Sequence, residues 1–480
     1  MESIVAETLM PFKEFEQKIY DYICALGREI TRLLLERYDK ELATQRDTKV
    51  YRDKGPRKTS IKTLFGTVEY RRRVYLVKRD DGRVATVYLL DEAMKMDKIG
   101  LISSNLAEKI AMTITGATYR DTAETISSTC GQSISHTGVW GFIQRLGERI
   151  SEEEDADVAK MKSGNTEGQK EIPVLFEEMD GVWRKMQGPD HKRIPKKEMK
   201  VFTMYEGWDA ESKGSKQSRL VGKKMLAGME DSHSFHEKRE AFIRSRYDAD
   251  EIKQRILNGD GGSWIKEEYD PDTIFQLDRF HIQKNIKKLI KDTKAQQDIA
   301  SLLAEEKIDE MLEYILLYAE SVDSNADKGK ARKNAKELYK YLSNNKEGLL
   351  SYRKRGIEIP KPQAGVIHKE MGVQENQNCT LITMRMKHRR MRWGRGANNL
   401  AKVMYRKENR ELIDTIDRYT DGLVTTMYLN EIVEELSAAK SPKKDGKGNP
   451  YLDRWYNHMP LLDAMRTASR KAFIRAFVGG

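Results

Sequence analysis

Cysteine is scarce in this chain of 480 residues: Cys24, Cys130 and Cys379 stand far apart. Their spacing excludes a disulfide framework, offers no CxxC pair for zinc, and suits a reducing compartment. Long apolar runs are missing too. Nowhere do about 18 apolar residues follow one another, and the N-terminus, MESIVAETLMPFKEFEQKIYDYI, carries acids and no continuous apolar core. Neither a membrane span nor a signal peptide is expected, and a cytoplasmic protein is. What the chain does have is charge: 86 Lys and Arg against 75 Asp and Glu, a net of +11, with a pI near 9.1. That balance favours polyanions without naming one. Hydrophobic residues make up 39%, enough for real cores, and the length suits roughly three domains.

Residues 1–45 read as an N-terminal helix, with Phe12, Phe15, Ile19, Ile23, Ile30 and Leu34 near helical spacing and Pro11 close to its start. Residues 46–90 combine a basic connector, YRDKGPRKTS, with two alternating runs, IKTLFGTVEYRRRVYLVK and RVATVYLLD, joined at Arg79-Asp80-Asp81-Gly82 as a β-hairpin. Residues 91–150 are helical. Within them TYRDTAETISSTCGQSISHTGVWGFIQRLGERI has the outline of a helix-turn-helix, in which Ser135, His136 and Thr137 open the recognition helix and reach base edges. A plain helical hairpin fits the same pattern.

After an acidic linker, residues 171–282 carry three strand candidates, IPVLFEEMD, MKVFTMYEGWD and RLVGKKMLAGM. A helix from about Ser234 to Ile256 follows, then a short strand ending at Asp260, then the strand IFQLD running into a helix near His281. Three strands, a helix, a strand and another strand is the order of a ribonuclease-H-like core. The fold class expected is therefore α/β, a mixed sheet with helices. Residues 283–360 read as an all-helical insertion, 361–410 as the second part of the core, and 411–480 as a C-terminal helical region broken at SPKKDGKGNP.

Three acids stand out by context. Asp180 ends the apolar run IPVLFEEMD, Asp260 lies in the glycine-rich NGDGG, and Glu375, in MGVQENQN, precedes a basic helical stretch. Phosphodiester chemistry with two Mg²⁺ ions about 4 Å apart needs a few hard oxygen ligands on rigid elements, which three carboxylates supply. Any single acid is a solvated surface residue by default, and Glu177, Glu178, Asp209 and Glu370 compete for these places. Asp278 and His281 form DRFH; one helical turn apart, they could converge on a metal, or act as an N-cap Asp with a structural His. The stretch RMKHRRMRWGR holds six Lys and Arg among eleven residues: Arg385, Lys387, Arg389, Arg390, Arg392 and Arg395, with Trp393 and no acid. It reads as a DNA contact, with Trp393 placed to stack on a base, or as a solvated face.

The ordered set IPVLFEEMDGVW, LNGDGGSW, LDRFHIQKN and GVQEN followed by RMKHRRMRWGRGANNLAK resembles bacterial insertion-sequence transposases of the ISLre type, a group of Mutator-like DDE transposases also known as an uncharacterised protein family. The likeness extends over most of the chain. It implies a ribonuclease-H-like core interrupted by a helical insertion between the second and third acids, with Asp180, Asp260 and Glu375 holding the metals. It also matches Asp278 and His281 to the Cys/Asp-x-x-His signature that follows the second Asp, and assigns the N-terminal helices to terminal inverted repeats. The expectation is a transposase that cleaves double-stranded DNA at its element's ends and joins them to a target. Mg²⁺ would be its cofactor, with Mn²⁺ as a substitute; Asp180 would bridge the metals; the enzyme would work as a homo-oligomer on the nucleoid. A ribonuclease-H-like nuclease, a domesticated remnant and a non-catalytic helix-turn-helix regulator are the alternatives.

Overall fold

The structure is a computed structural model that describes residues 10–438 apart from 80, 97–98, 189–191, 213–217, 267–271, 323–325, 389–390, 421 and 423–426. Asp80, Arg389, Arg390 and the SPKKDGKGNP break lie outside the described residues. The fold is mixed α/β and divides into two compact units, Met1–Ala107 with Ala123–Ile134 and Asp417–Gly480, and Glu108–Thr122 with Ser135–Ile416.

The first unit contains α1 (Phe12–Gln45), β1 (Arg52–Thr63), β2 (Gly66–Lys78), β3 (Val84–Val87) and α2 (Leu89–Ala93). The strands form one antiparallel sheet, β1-β2-β3. The basic segment YRDKGPRKTS is thus mostly strand, and IKTLFGTVEYRRRVYLVK is the end of one strand and the whole of the next. Exposed and half-buried positions alternate along β1 except at Pro56-Arg57-Lys58, beside a register shift, as suits an edge strand with one wet face. The chain reverses at Leu64-Phe65 because Gly66 takes φ 115°, a conformation that side chains rarely adopt. Leu35 of α1 packs beside Val68 and Tyr70 of β2.

Helices α3 (Ser104–Ile114), α4 (Tyr119–Thr129) and α5 (His136–Lys162) follow. The main sheet of the second unit is built from β4 (Val174–Lys185), β5 (Lys196–Tyr205), β8 (Lys224–Gly228), β9 (Gln254–Gly259) and β10 (Ile274–Leu277). Its order is β10-β9-β4-β5-β8. β4 pairs in parallel with β9, and β9 with β10, whereas β5 and β8 run antiparallel. Two runs expected as single strands are divided. MKVFTMYEGWD ends in β6 (Gly207–Asp209), and RLVGKKMLAGM begins with β7 (Leu220–Val221); both join β11 (Val366–Ile367) in a separate small sheet. Gly207 at φ 136° and Gly222 at φ 64° make those breaks. The helix expected from Ser234 to Ile256 is shorter, α6 (Ser232–Arg244), opened by Asp231, whose carboxylate accepts from Ser234 N at 3.0 Å.

The predicted insertion is helical: α7 (Arg279–Leu289), α8 (Thr293–Ala304), α9 (Ile308–Ser321) and α10 (Ala326–Ser343), closed over Ile299, Met311, Ile315, Leu338 and Leu342. Beyond it, α11 begins as Gln374–Asn378, continues through a π turn, Cys379–Thr383, and ends at Met384–Met386. α12 (Ala397–Glu408), α13 (Leu412–Thr420) and α14 (Met427–Ala438) complete the described chain. In the sheet's core Phe176 stacks on Tyr205 with ring centres 5.4 Å apart, and Trp208 and Tyr352 meet it edge-on.

Candidate metal centre

Strand alternation on β4 sends neighbouring acids to opposite faces. Glu177 is fully buried among Arg239, Arg255 and, through Arg255, Glu240, with nitrogen-to-oxygen distances of 2.7 to 2.9 Å. Burial raises its pKa, but the two guanidinium groups outweigh that and hold it below the ordinary value. It is a structural ion pair. Glu178 and Asp180 face the other way. Met179 pairs with Gly259 at the last register position shared by β4 and β9, so Asp180 and Asp260 are the next residues on two parallel neighbours. β4 itself continues to Lys185, paired with β5, so Asp180 lies within the strand and not at its end as the apolar run suggested.

The Asp180 carboxylate is the centre of a small cluster. His281 Nε2 lies 3.9 Å from Asp180 Oδ1 and 3.9 Å from Glu375 Oε1. One ligand atom from each of Asp180, His281 and Glu375 falls within 4.8 Å of the other two. Three separate segments supply them: β4, the first turn of α7 and the first turn of α11. Asp260 is not in this trio, yet its charge raises the pKa of both Asp180 and His281. Burial is the main reason that Asp180 is pushed up to about 6; His281 and the Gly181 amide pull it down, and Asp260 and Glu375 add to the rise.

A second set of contacts holds these groups. Asp278 is at the N-cap position of α7, and its Oδ2 lies 2.9 Å from His281 Nδ1. With Nδ1 turned to Asp278, His281 Nε2 is left toward the carboxylates. Burial lowers the pKa of His281, but Asp278, Asp180 and Asp260 outweigh it and the net shift is upward. Asn378, one turn after Glu375, donates from Nδ2 to Asp180 Oδ2 at 2.6 Å. Glu178, completely buried, accepts from the backbone amides of Gly372, Val373 and Gln374 at 3.0 to 3.2 Å, from Tyr205 Oη at 2.6 Å and from Asn258 Nδ2 at 3.0 Å. It thereby fixes the start of the helix that carries Glu375. Asn258 also reaches Asp278 Oδ1, at 3.4 Å. Asp260 is set by its own loop: its Oδ1 accepts from Gly262 N at 2.8 Å, Gly261 takes φ 83°, and Tyr341 of α10 donates to its carbonyl at 3.0 Å.

Sequence reasoning missed Asn258, Asn378 and the role of Glu178. The available signals were the same-face spacing of Glu178 with Asp180 and of Asn258 with Asp260, and the one-turn spacing of Asn378 from Glu375. Of the other competing acids, Asp209 pairs with Arg219 in the small sheet and Glu370 accepts from Ser351 Oγ at 2.6 Å. Among the basic residues, Lys387, Arg392 and Arg395 are exposed, whereas Arg385 and Trp393 are buried. Trp393 Nε1 donates to Met386 O at 2.7 Å. Ser135 caps α5, its hydroxyl accepting from Gly138 N at 3.1 Å, and His136 and Thr137 are exposed in the first turn.

Sheet and cluster together define a mixed α/β protein with a partly buried carboxylate and histidine cluster on β4, beside the end of the parallel strand β9. The profile of the uncharacterised protein family UPF0236 matches residues 5–415, and the chain belongs to that family. Similar proteins include a UPF0236 protein of Streptococcus gallolyticus from the vanSb 3′ region, 23% identical over 293 residues. That match covers 59% of this chain and 60% of the relative, so the chain spans less than two thirds of its length. A UPF0236 protein of Caldanaerobacter subterraneus subsp. tengcongensis is 24% identical over 353 residues, 72% of this chain and 69% of the relative. Among the described residues no helix is long and apolar enough to cross a membrane.

Proposed function

We propose that this chain is a DDE transposase of the ISLre type, with a ribonuclease-H-like core that cleaves and joins DNA at one metal-dependent site. The observation that carries the reading is the convergence of Asp180, His281 and Glu375, with Asp260 on the adjacent strand. The order β10-β9-β4-β5-β8, with β5 alone running opposite to the other four strands, supports a ribonuclease-H-like core. The helical insertion between Asp260 and Glu375 supports it further.

The donor set fits divalent cations. Asp180, Asp260 and Glu375 offer hard oxygens suited to Mg²⁺, and His281 Nε2 adds a nitrogen that Mn²⁺ accepts more readily. When bound, such ions would activate the attacking oxygen and stabilise the leaving one. The chain's own groups prepare that site. Asp278 keeps His281 turned, Asn378 occupies one oxygen of Asp180 and leaves the other facing His281, and Glu178 anchors Glu375's helix. No protein nucleophile is required. Exposed Lys387, Arg392 and Arg395, with His136 and Thr137 of α5, are the groups assigned to DNA. Two element ends must be brought together, so a homo-oligomer on DNA is part of the proposal.

A nicking assay tests it. Duplex DNA from the inverted repeats flanking the gene should be cut at the 3′ strand ends with Mg²⁺ or Mn²⁺, and Asp260→Asn should reduce the rate by at least about a thousandfold, the scale of losing a central electrostatic group. Cutting that persists in Asp260→Asn, or that needs no divalent cation, counts against the site. Cutting without joining would move the reading to a nuclease.

A further inference from the structure

Arg385, at the end of α11, is only 6% exposed. Its Nε donates to Ile114 O at 2.9 Å, its Nη1 reaches Met391 Sδ at 3.8 Å, and its guanidinium lies 5.4 Å from the centre of the Trp393 ring. Nη2 has no hydrogen-bond partner, and among the described residues no carboxylate pairs with this cation. Asp121, exposed on α4, and the phenol of Tyr119 act on it only through space, and burial still pulls its pKa down. Arg184 of β4, also buried, reaches Met386 Sδ at 3.9 Å and leaves Nε and Nη2 without partners. Two guanidinium groups beside Met386 are thus held in low dielectric with no paired carboxylate among the described residues, an arrangement that favours an anion.

Arg385 lines a cavity of about 500 Å³, together with Trp140, Trp393, Arg392, Arg395 and Gly396. Helix α12 starts at its wall. Its N-cap is Gly396, with no side-chain cap, and the first helical amide, Ala397 N, donates to Gly394 O at 3.3 Å. A Cβ at Gly396 would lie 2.6 Å from Gln144 Nε2 and 3.0 Å from Trp140 Nε1, so glycine lets the helix start approach Trp140 closely. Trp140 is 45% exposed, one turn along α5 from His136.

We propose that this cavity holds one unstacked nucleotide of a DNA strand, its phosphate against Arg385 and its base against Trp140. A bare anion leaves the indole unused, and an apolar ligand leaves Arg385 uncompensated; a nucleotide engages both. That the nucleotide belongs to a DNA strand rests on the DNA-processing reading above; the pairing of cation and aromatic ring does not.

The test uses the full chain and four probes: a blunt duplex, the same duplex with one unpaired 3′ nucleotide, thymidine 5′-monophosphate, and inorganic phosphate. The unpaired nucleotide should tighten duplex binding by about tenfold, the scale of one stacked base. Trp140→Ala and Arg385→Met should each remove that advantage, and Asp180→Asn should keep it. Binding of the free monophosphate without an overhang advantage would overturn the DNA assignment. Inorganic phosphate bound as tightly as the monophosphate would reduce the cavity to an anion site and overturn the nucleotide. An advantage unchanged in Trp140→Ala would overturn the proposal outright. If Arg385→Met does not fold, Trp140→Ala and Arg395→Ala, both at exposed positions, carry the test. Wild-type protein that keeps the overhang advantage yet never cuts DNA would sink the catalytic reading and leave this one standing.

Discussion

A carboxyl pushed up to about 6 at Asp180 makes the folded chain hold a proton that the unfolded chain, with an ordinary value of 3.8, has released. Stability at this group therefore falls as pH rises from about 4 to about 6 and stays low above that window. Asp180→Asn should stabilise the metal-free protein at pH 7 by on the order of 3 kcal/mol, since the rise is about two pKa units and each is worth about 1.4 kcal/mol. Urea unfolding at pH 7 and pH 4 checks this; the gain should disappear at the lower pH, and equal gains at both would contradict the electrostatic origin. For the same reason Mn²⁺ affinity should rise with pH through about 6. Asp278→Asn, which frees His281, should weaken Mn²⁺ binding by about tenfold to a hundredfold, as removing a ligand-orienting partner does. At this scale the sequence was partly legible. Asp180 and Asp260 could be picked from strand and glycine context, whereas Asn258, Asn378 and Glu178 could not, because a buried polar partner looks like any other polar residue until the strands are registered.

Helix α11 has only one short turn ahead of its π segment, too little to hold its own start by helix propensity. Glu178 supplies what propensity does not, by accepting three successive amides. Glu178→Gln keeps the shape but turns a donor toward those amides, which should cost about 1 to 3 kcal/mol. Hydrogen exchange at Gly372, Val373 and Gln374 should accelerate and Mn²⁺ affinity should fall; unchanged exchange would sink the anchoring role. Glu177→Gln is the comparison, one residue away on the other face, where stability should drop without a change in exchange at these amides. Helical character was legible where periodicity was long, as in α1 and the helical insertion, although α1 starts at Phe12 and the insertion's helices run from Arg279 to Ser343. Strand boundaries failed at Leu64-Phe65, Gly207 and Gly222, where a turn falls inside an unbroken apolar alternation and only a glycine marks it.

The whole chain's basic balance becomes useful only once the charges have positions. Lys387, Arg392 and Arg395 are exposed, so replacing all three with alanine should lower the slope of log affinity against log salt by about 1 for each phosphate that is no longer neutralised. Measured by anisotropy on duplex DNA, an unchanged slope would remove this surface from the DNA-binding face. The helical character of the run between Asp260 and Glu375 was legible, because a long charged helical run cannot be a loop. The strand in the basic connector YRDKGPRKTS, residues 51–60, was not, because an edge strand with one wet face has the composition of a linker. The most direct test of the central claim is strand transfer from a pre-cut element end with a free 3′-OH, assayed with Mn²⁺ for wild type and Glu375→Gln. Joined product from the wild type and none from Glu375→Gln is the predicted result; joining that proceeds equally in both would contradict a single site built from Asp180, Asp260 and Glu375.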